Sequence, residues 1–166
     1  NDINEYSLST AFDVSTASYV TEKSVLEANP TGMTFNNDGT KMFIIGSANH
    51  VLEYDLTTAF DINTASYAGN AERFFVRSQE PTPLGMAFNN DGTKMFIVGG
   101  ADEVNEYSLS TAFDVSSASH TQVFSVLAQD NDHTGMAFNI DGTKMFVIGN
   151  TGNAVNEYSL STAFDV

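Results

Sequence analysis

The chain has 166 residues, enough for one domain with a substantial core, and 42% of them are apolar, including 13 Phe and 6 Tyr. Six Lys and Arg stand against 21 Asp and Glu, and the net charge of -15 disfavours binding to nucleic acid and to anionic membranes. The absence of Cys excludes disulfides, thiolate metal sites and cysteine nucleophiles. Because no apolar run of about 18 residues and no signal peptide occurs, we expect no membrane insertion and a mature form or part of a longer protein.

The chain aligns with itself at a nearly constant period. The eleven residues NEYSLSTAFDV at 4–14 recur at 105–115 and 156–166, and a diverged copy lies at 52–62. A second block, GMTFNNDGTKMFIIG at 32–46, recurs with few changes at 85–99 and 135–149. The first glycines of these blocks are 53 and 50 residues apart. A period this constant indicates a tandem structural unit.

The second block predicts a hairpin. Its first strand, Met33–Phe35, has small residues on one face, which favours a position beside a crowded axis. The Asp38–Gly39 pair and its copies indicate the turn, since Gly adopts the positive φ that such turns need. The second strand, Met42–Ile45, is apolar on both faces, as is typical of a strand buried on both sides.

Two further strands complete each unit. The third, Val51–Leu56, alternates between apolar and polar residues. The fourth is less regular, and we place it at Tyr19–Leu26, Arg73–Arg77 and Gln122–Leu127. Residues 10–18, TAFDVSTAS, are predicted to form a long loop that Phe12 and its copies hold against the sheet. No stretch has helical periodicity, so the sequence predicts an all-β protein.

The pattern G-M-x-F-N-x-D-G-T-K-M-F followed by V-x-E-Y-x-L resembles the blade repeats of the NHL and YVTN β-propeller families. It is more similar still to tandem propeller repeats of uncharacterised marine bacterial and phage proteins, and the resemblance covers essentially the whole chain. It implies a β-propeller of four-stranded antiparallel blades, and little about function, because propellers include enzymes, lectins and scaffolds. A β-trefoil is the alternative fold, although its units are shorter and lack a doubly buried second strand.

We interpret the chain as a single repeat domain, residues 1–166. It contains a partial blade at 1–27, blades at 28–78 and 79–128, and a partial blade at 129–166. Propellers have about four to eight blades. We therefore expect the ring to be completed by another chain, for example in a dimer with six blades, or by further repeats.

Residues found in every copy are assigned to the blade itself. Asp38 and its copies are assigned to turn formation, and Glu53 and its copies to solvent or to a cross-strand pair. The least repetitive stretch, Gln129–His133, places Asp130 and Asp132 at alternating positions, a spacing that suits calcium. Asp130 and Asp132 are therefore the candidate metal ligands, with a plain polar loop as the alternative. No other cofactor is expected.

No catalytic motif occurs, so we expect no enzymatic activity. The sequence predicts a structural or protein-interaction module that self-assembles through its end strands, located outside the cell or at a cell or virion surface. Two alternatives stay open. One is a lectin-like propeller that binds a glycan or another small ligand, and the other is a calcium-assisted lyase or hydrolase.

Overall fold

The computed structural model describes residues 1–166, and its regular structure is almost entirely antiparallel β-sheet. We name the four sheets A to D in chain order. Sheet A contains β1 (Asp2–Leu8) and β2 (Ala17–Ser24). Sheet B contains β3 (Pro30–Phe35), β4 (Lys41–Gly46), β5 (His50–Leu56), β6 (Ala65–Tyr67) and β7 (Arg73–Phe75). Sheet C contains β8 (Pro83–Phe88), β9 (Lys94–Gly99), β10 (Glu103–Leu109) and β11 (Ala118–Ser125), and sheet D contains β12 (His133–Phe138), β13 (Lys144–Gly149) and β14 (Val155–Ser159). Short 3-10 turns lie at Val14–Thr16, Ile62–Thr64 and Val115–Ser117. None of the helical segments has the length and hydropathy of a membrane-spanning helix.

Consecutive sheets pack face to face, and the second strand of a complete sheet lies between two neighbours. In β4, Met42 and Ile44 pack in the cluster shared with sheet A, whereas Phe43 and Ile45 pack in the cluster shared with sheet C. All four side chains are fully buried. This arrangement confirms the all-β, four-stranded blade fold predicted from the sequence. The four sheets form an arc, and the ring is not closed within the chain.

The first strands of neighbouring sheets approach each other closely. A Cβ on Gly32 would lie 3.1 Å from the carbonyl oxygen of Leu84 and 3.5 Å from Cα of Gly85. A Cβ on Gly85 would lie 3.1 Å from Cα of Gly135. The small residues on this face of the first strand therefore allow the close approach of backbones.

The turn between the first two strands depends on Gly for two reasons. Gly39 has a φ of 71°, which L side chains rarely adopt, and Asp38 Oδ1 accepts a hydrogen bond from the Thr40 backbone N–H at 3.0 Å. A Cβ on Gly39 would also collide with the ring of Phe60. Gly92 and Gly142 repeat both features, with Phe113 and Phe164 above them.

The stretch predicted as a long loop is more compact than expected, and the fourth strand starts earlier. Asp13 accepts hydrogen bonds from the Ser15 backbone N–H at 3.0 Å and hydroxyl at 2.6 Å, and Thr16 Oγ1 donates to the Asp13 carbonyl oxygen at 2.7 Å. These bonds close a single 3-10 turn, so the strand begins at Ala17. In sheet B the fourth strand is instead divided into β6 and β7, with Gly69 between them at a φ of 121°.

Gly92→Ala should lower the free energy of unfolding by about 2 kcal/mol or more, because Ala is strained at positive φ and its methyl group meets the Phe113 ring. Urea unfolding followed by circular dichroism measures the change. Gly92→Asn is the matched control, since Asn tolerates this backbone conformation but still meets the ring. If Gly92→Ala unfolds at the same urea concentration as the wild type, the Phe113 ring moves aside and the predicted cost is absent.

Candidate functional site

Each of sheets B, C and D is held by a buried carboxylate. Glu27 and Glu80 are fully buried and Asp130 is 4% exposed. Glu80 accepts hydrogen bonds from the backbone N–H groups of Thr82 at 2.9 Å and Ala101 at 3.3 Å. It therefore ties the segment before the first strand to the turn between the second and third strands.

The candidate calcium ligands Asp130 and Asp132 lie in the corresponding place of sheet D. Asp130 accepts hydrogen bonds from the backbone N–H groups of Asp132 at 2.8 Å and Gly152 at 2.7 Å. The Gly152 bond is the main reason why the pKa of the Asp130 carboxyl is lowered, since it stabilises the charged form. Asp132 accepts a hydrogen bond from Asn150 Nδ2 at 3.0 Å. Calcium binding by this loop stays a prediction.

Sequence reasoning placed Asp130 in a variable loop and missed its repetition. Glu27, Glu80 and Asp130 each stand five residues before the glycine of the first strand, at Gly32, Gly85 and Gly135. That fixed spacing was the available signal. The change from Glu to Asp in the third copy obscured it.

A second set of carboxylates joins neighbouring sheets. Glu5, Glu53 and Glu106 accept hydrogen bonds from the backbone N–H groups of Ile62, Val115 and Val166, at 3.0, 3.3 and 3.2 Å respectively. Glu53 and Glu106 also pair across strands with Lys41 and Lys94. Both Glu side chains are buried, and burial raises the pKa of the Glu53 carboxyl. Each therefore acts as a buried link between blades.

Three carboxylates converge where sheets B and C meet. Oxygen atoms of Glu53, Glu72 and Asp114 lie within 4.8 Å of one another, a separation that a divalent cation could bridge. Lys41 balances the charge of Glu53, and Asp114 accepts hydrogen bonds from the backbone N–H and the hydroxyl of Ser116. Sequence analysis missed this cluster, since Glu72 lies in the loop between β6 and β7, outside the repeated blocks.

A buried histidine faces an aspartate where sheets C and D meet. His133 is fully buried, and its Nδ1 lies 3.6 Å from Asp102 Oδ1. This distance is longer than a hydrogen bond, and both atoms, together with His133 Nε2, are buried without a hydrogen-bond partner. In the preceding blade, Asn49 takes the place of Asp102, with a φ of 60° against 61°, and Pro83 takes the place of His133. The joint between sheets B and C thus combines Asn with Pro, and the joint between sheets C and D combines Asp with His.

The two ends of the arc leave apolar side chains uncovered. In sheet A, Tyr6 is 57% exposed, whereas its copy Tyr107 is fully buried between sheets B and C. In sheet D, Ile148 is 46% exposed, whereas its copy Ile45 is fully buried. β14 has no outer neighbour and β1 has no inner one. We call these two uncovered sheets, A and D, the open ends.

A cavity lies beside one open end, between sheets A and B. Its volume is about 360 Å³, and its walls are Asp2, Ile3, Asn4, Pro30, Thr31, Gly32, Met33 and Ile44. The lining therefore combines polar and apolar side chains. This combination suits either a small ligand or the side chains of a packed strand.

Comparison with solved structures places the chain in the β-propeller class. It is similar to U3-55K, with a TM-score of 0.57 and 11% identity over 84% of this chain and 38% of that one. It is likewise similar to the WD40 repeats of RRP9, with a TM-score of 0.57 and 10% identity over 84% of this chain and 37% of that one. It is also similar to the hydrazine synthase of Kuenenia stuttgartiensis, with a TM-score of 0.57 and 19% identity over 82% of this chain and 34% of that one. The chain thus spans well under half the length of each neighbour, and the likeness shows the fold alone. No protein-family model and no curated protein sequence matches the chain.

Asp102→Asn removes the carboxylate charge that faces the buried imidazole, and His133→Pro removes the imidazole, so each should destabilise the protein by about 1 kcal/mol. The double variant recreates the Asn–Pro combination of the neighbouring blade and should recover most of that loss. Urea unfolding of all four proteins measures the coupling. Asn49→Asp is the matched control, since Pro83 offers it no imidazole. Strictly additive losses would show that the two side chains do not interact.

Glu80→Gln should reduce the dependence of stability on pH. Burial raises the pKa of the Glu80 carboxyl, so the folded state holds its proton more tightly and the wild type loses stability as pH rises from about 4.5 through the folded pKa. Gln does not titrate, although its amide facing Ala101 imposes a constant cost. The free energy of unfolding measured between about pH 4 and 7 should therefore fall less steeply for the variant. Parallel curves would contradict the expected titration.

Proposed function

We propose that the chain is a non-enzymatic structural and protein-interaction module that assembles with copies of itself through its open ends. We further propose that it acts outside the cell or at a cell or virion surface. The observation that carries the proposal is the pair of open ends, where side chains are exposed although their copies inside the arc are buried.

Physical considerations favour occupation of the open ends. An unpaired strand edge presents N–H and C=O groups that another strand can bind, and exposed apolar side chains add a driving force of about 25 cal/mol per Å² removed from water. Tyr6 and Leu8 are 57% and 40% exposed in sheet A, and Val155 is 65% exposed in sheet D. Strand pairing and the burial of apolar side chains would therefore both occur at the open ends.

The non-enzymatic part of the proposal rests on how the chain uses its polar residues. The repeated carboxylates accept hydrogen bonds from backbone N–H groups, as Glu80 does, or also pair with Lys, as Glu106 does. Those bonds serve the connections within and between blades. The acidic composition supports the proposed location, and the absence of Cys is compatible with it.

The cavity between sheets A and B favours a second candidate, a propeller that binds a glycan or another small ligand. Asp2, Asn4 and Thr31 supply hydrogen-bonding groups there, and Met33 supplies an apolar wall. Because the cavity adjoins an open end, ligand binding and self-assembly would compete for the same space. A glycan array followed by binding measurements on assembled and dispersed protein distinguishes the two functions.

Light scattering on the purified chain tests the leading proposal. We expect a mass above that of a single 17.9 kDa chain at micromolar concentration. The mass should increase with ionic strength, because salt screens the repulsion between chains with a net charge of -15. A single-chain mass at all concentrations and salt levels would refute self-assembly.

A further inference from the structure

We propose that sheets D and A are two overlapping parts of one blade, and that two copies of the chain complete it reciprocally. The first two strands of sheet D in one copy and the last strand of sheet A in the other belong to the same four-stranded sheet. The inference rests on the self-assembly proposed above and names its partner, a second copy, and its binding surface.

The strand edges supply the first argument, because β1 and β14 carry the same residues in the third position of a blade. β13 pairs with β14 so that Met145 lies opposite Tyr158. β1 pairs with β2 so that Tyr6 lies opposite Tyr19, with a bulge after Glu5. The complete sheet C has the same register on both sides of its third strand, including the bulge. Either copy of the third strand therefore fits between β13 of one chain and β2 of the other.

The apolar faces supply the second argument. Between sheets B and C, Phe43 and Ile45 pack in one cluster with Met86, which is 8% exposed. Met33 is the copy of Met86 in sheet B, and it is 42% exposed beside the cavity. The copies of Phe43 and Ile45 in sheet D, Phe146 and Ile148, lie on the uncovered face of the arc. Sheet D of a second copy thus carries the side chains that cover Met33.

The glycines of the first strands supply the third argument. Gly32 and Gly85 each lie against the next first strand, and a Cβ at either would lie 3.1 Å from its backbone. Gly135 occupies the same position in sheet D, yet a Cβ there would have no atom within 4 Å. A first strand from a second copy, packed at this point, would make the third glycine as necessary as the other two.

Hydrogen bonds between the turns that join the first two strands of sheets B, C and D show how the proposed joint differs from the joints within the chain. Asn37 Nδ2 donates to the carbonyl oxygen of Asn90, and Asn90 Nδ2 donates to that of Ile140 at 2.6 Å. Ile140 stands where the other blades have Asn, and it is 91% exposed. The joint between copies therefore lacks one hydrogen bond that Asn would provide.

The number of blades agrees with closure. Sheets B and C plus one shared blade give three blades per copy, so two copies give six, within the usual range of about four to eight. Two identical joints related by a two-fold axis close the ring and leave no edge for further growth.

Gly135→Val tests the joint in the full-length chain. Its circular dichroism should match that of the wild type, since the single chain has room for the side chain and Val favours strands. In the assembly the same side chain would meet the backbone of the second copy, so the dissociation constant of the dimer should rise at least about tenfold. Ser119→Val, on the exposed outer strand of sheet C, is the matched control and should leave it unchanged.

Ile140→Asn tests the same joint by a gain of affinity. Each of the two joints gains one hydrogen bond, worth about fivefold apiece, so the dimer should tighten about 25-fold in sedimentation equilibrium. If Gly135→Val dimerises as tightly as the wild type, this joint is overturned while self-assembly stands. If Gly135→Val does not fold, an Ile140→Asn dimer no tighter than the wild type overturns the joint instead. A wild type that never exceeds the single-chain mass overturns both the joint and the proposed self-assembly.

Discussion

The packing of each second strand between two other sheets is the interaction on which the rest of the structure depends. The side chains of Met42–Ile45 and Met95–Val98 are all fully buried. Each contributes about 2 kcal/mol on burial, and successive residues face opposite neighbours. A blade of this kind therefore gains stability from a blade on each side. Each blade joins the two clusters on either side of it, and the arc extends by repetition of the same contact.

Buried carboxylates then connect segments within each blade and between neighbouring blades. Glu80 and its copies connect two segments of one blade, and Glu53 and Glu106 connect one blade to the next. A buried carboxylate is costly unless hydrogen bonds satisfy it. These residues consequently favour one arrangement of neighbouring backbones over others. The glycines at the first strands allow that arrangement, because they leave the inner backbones free to come together.

Because each blade is buried by the blades beside it, the proposed functions concern the two ends of the arc, where one neighbour is missing. Tyr107 and Ile45 are buried by adjacent sheets, whereas their copies Tyr6 and Ile148 have no such cover. The acidic composition opposes association at long range, and the apolar faces favour it at contact. The proposed self-assembly through these faces and the proposed ligand binding in the adjoining cavity would be alternative uses of one incomplete joint.

The sequence by itself determined the repeat, the Asp-Gly hairpins and the doubly apolar second strand, because period-two patterning and turn chemistry are local properties. Those features were sufficient for the all-β propeller fold. They were insufficient for the fourth strand, where side-chain hydrogen bonds around Asp13 shorten the expected loop. Only the tertiary structure decided that Glu53 reaches Val115 in the next blade and that Asp102 meets His133. Such contacts join residues from different sheets, and the distance between them depends on how the sheets pack, which no local pattern in the chain encodes.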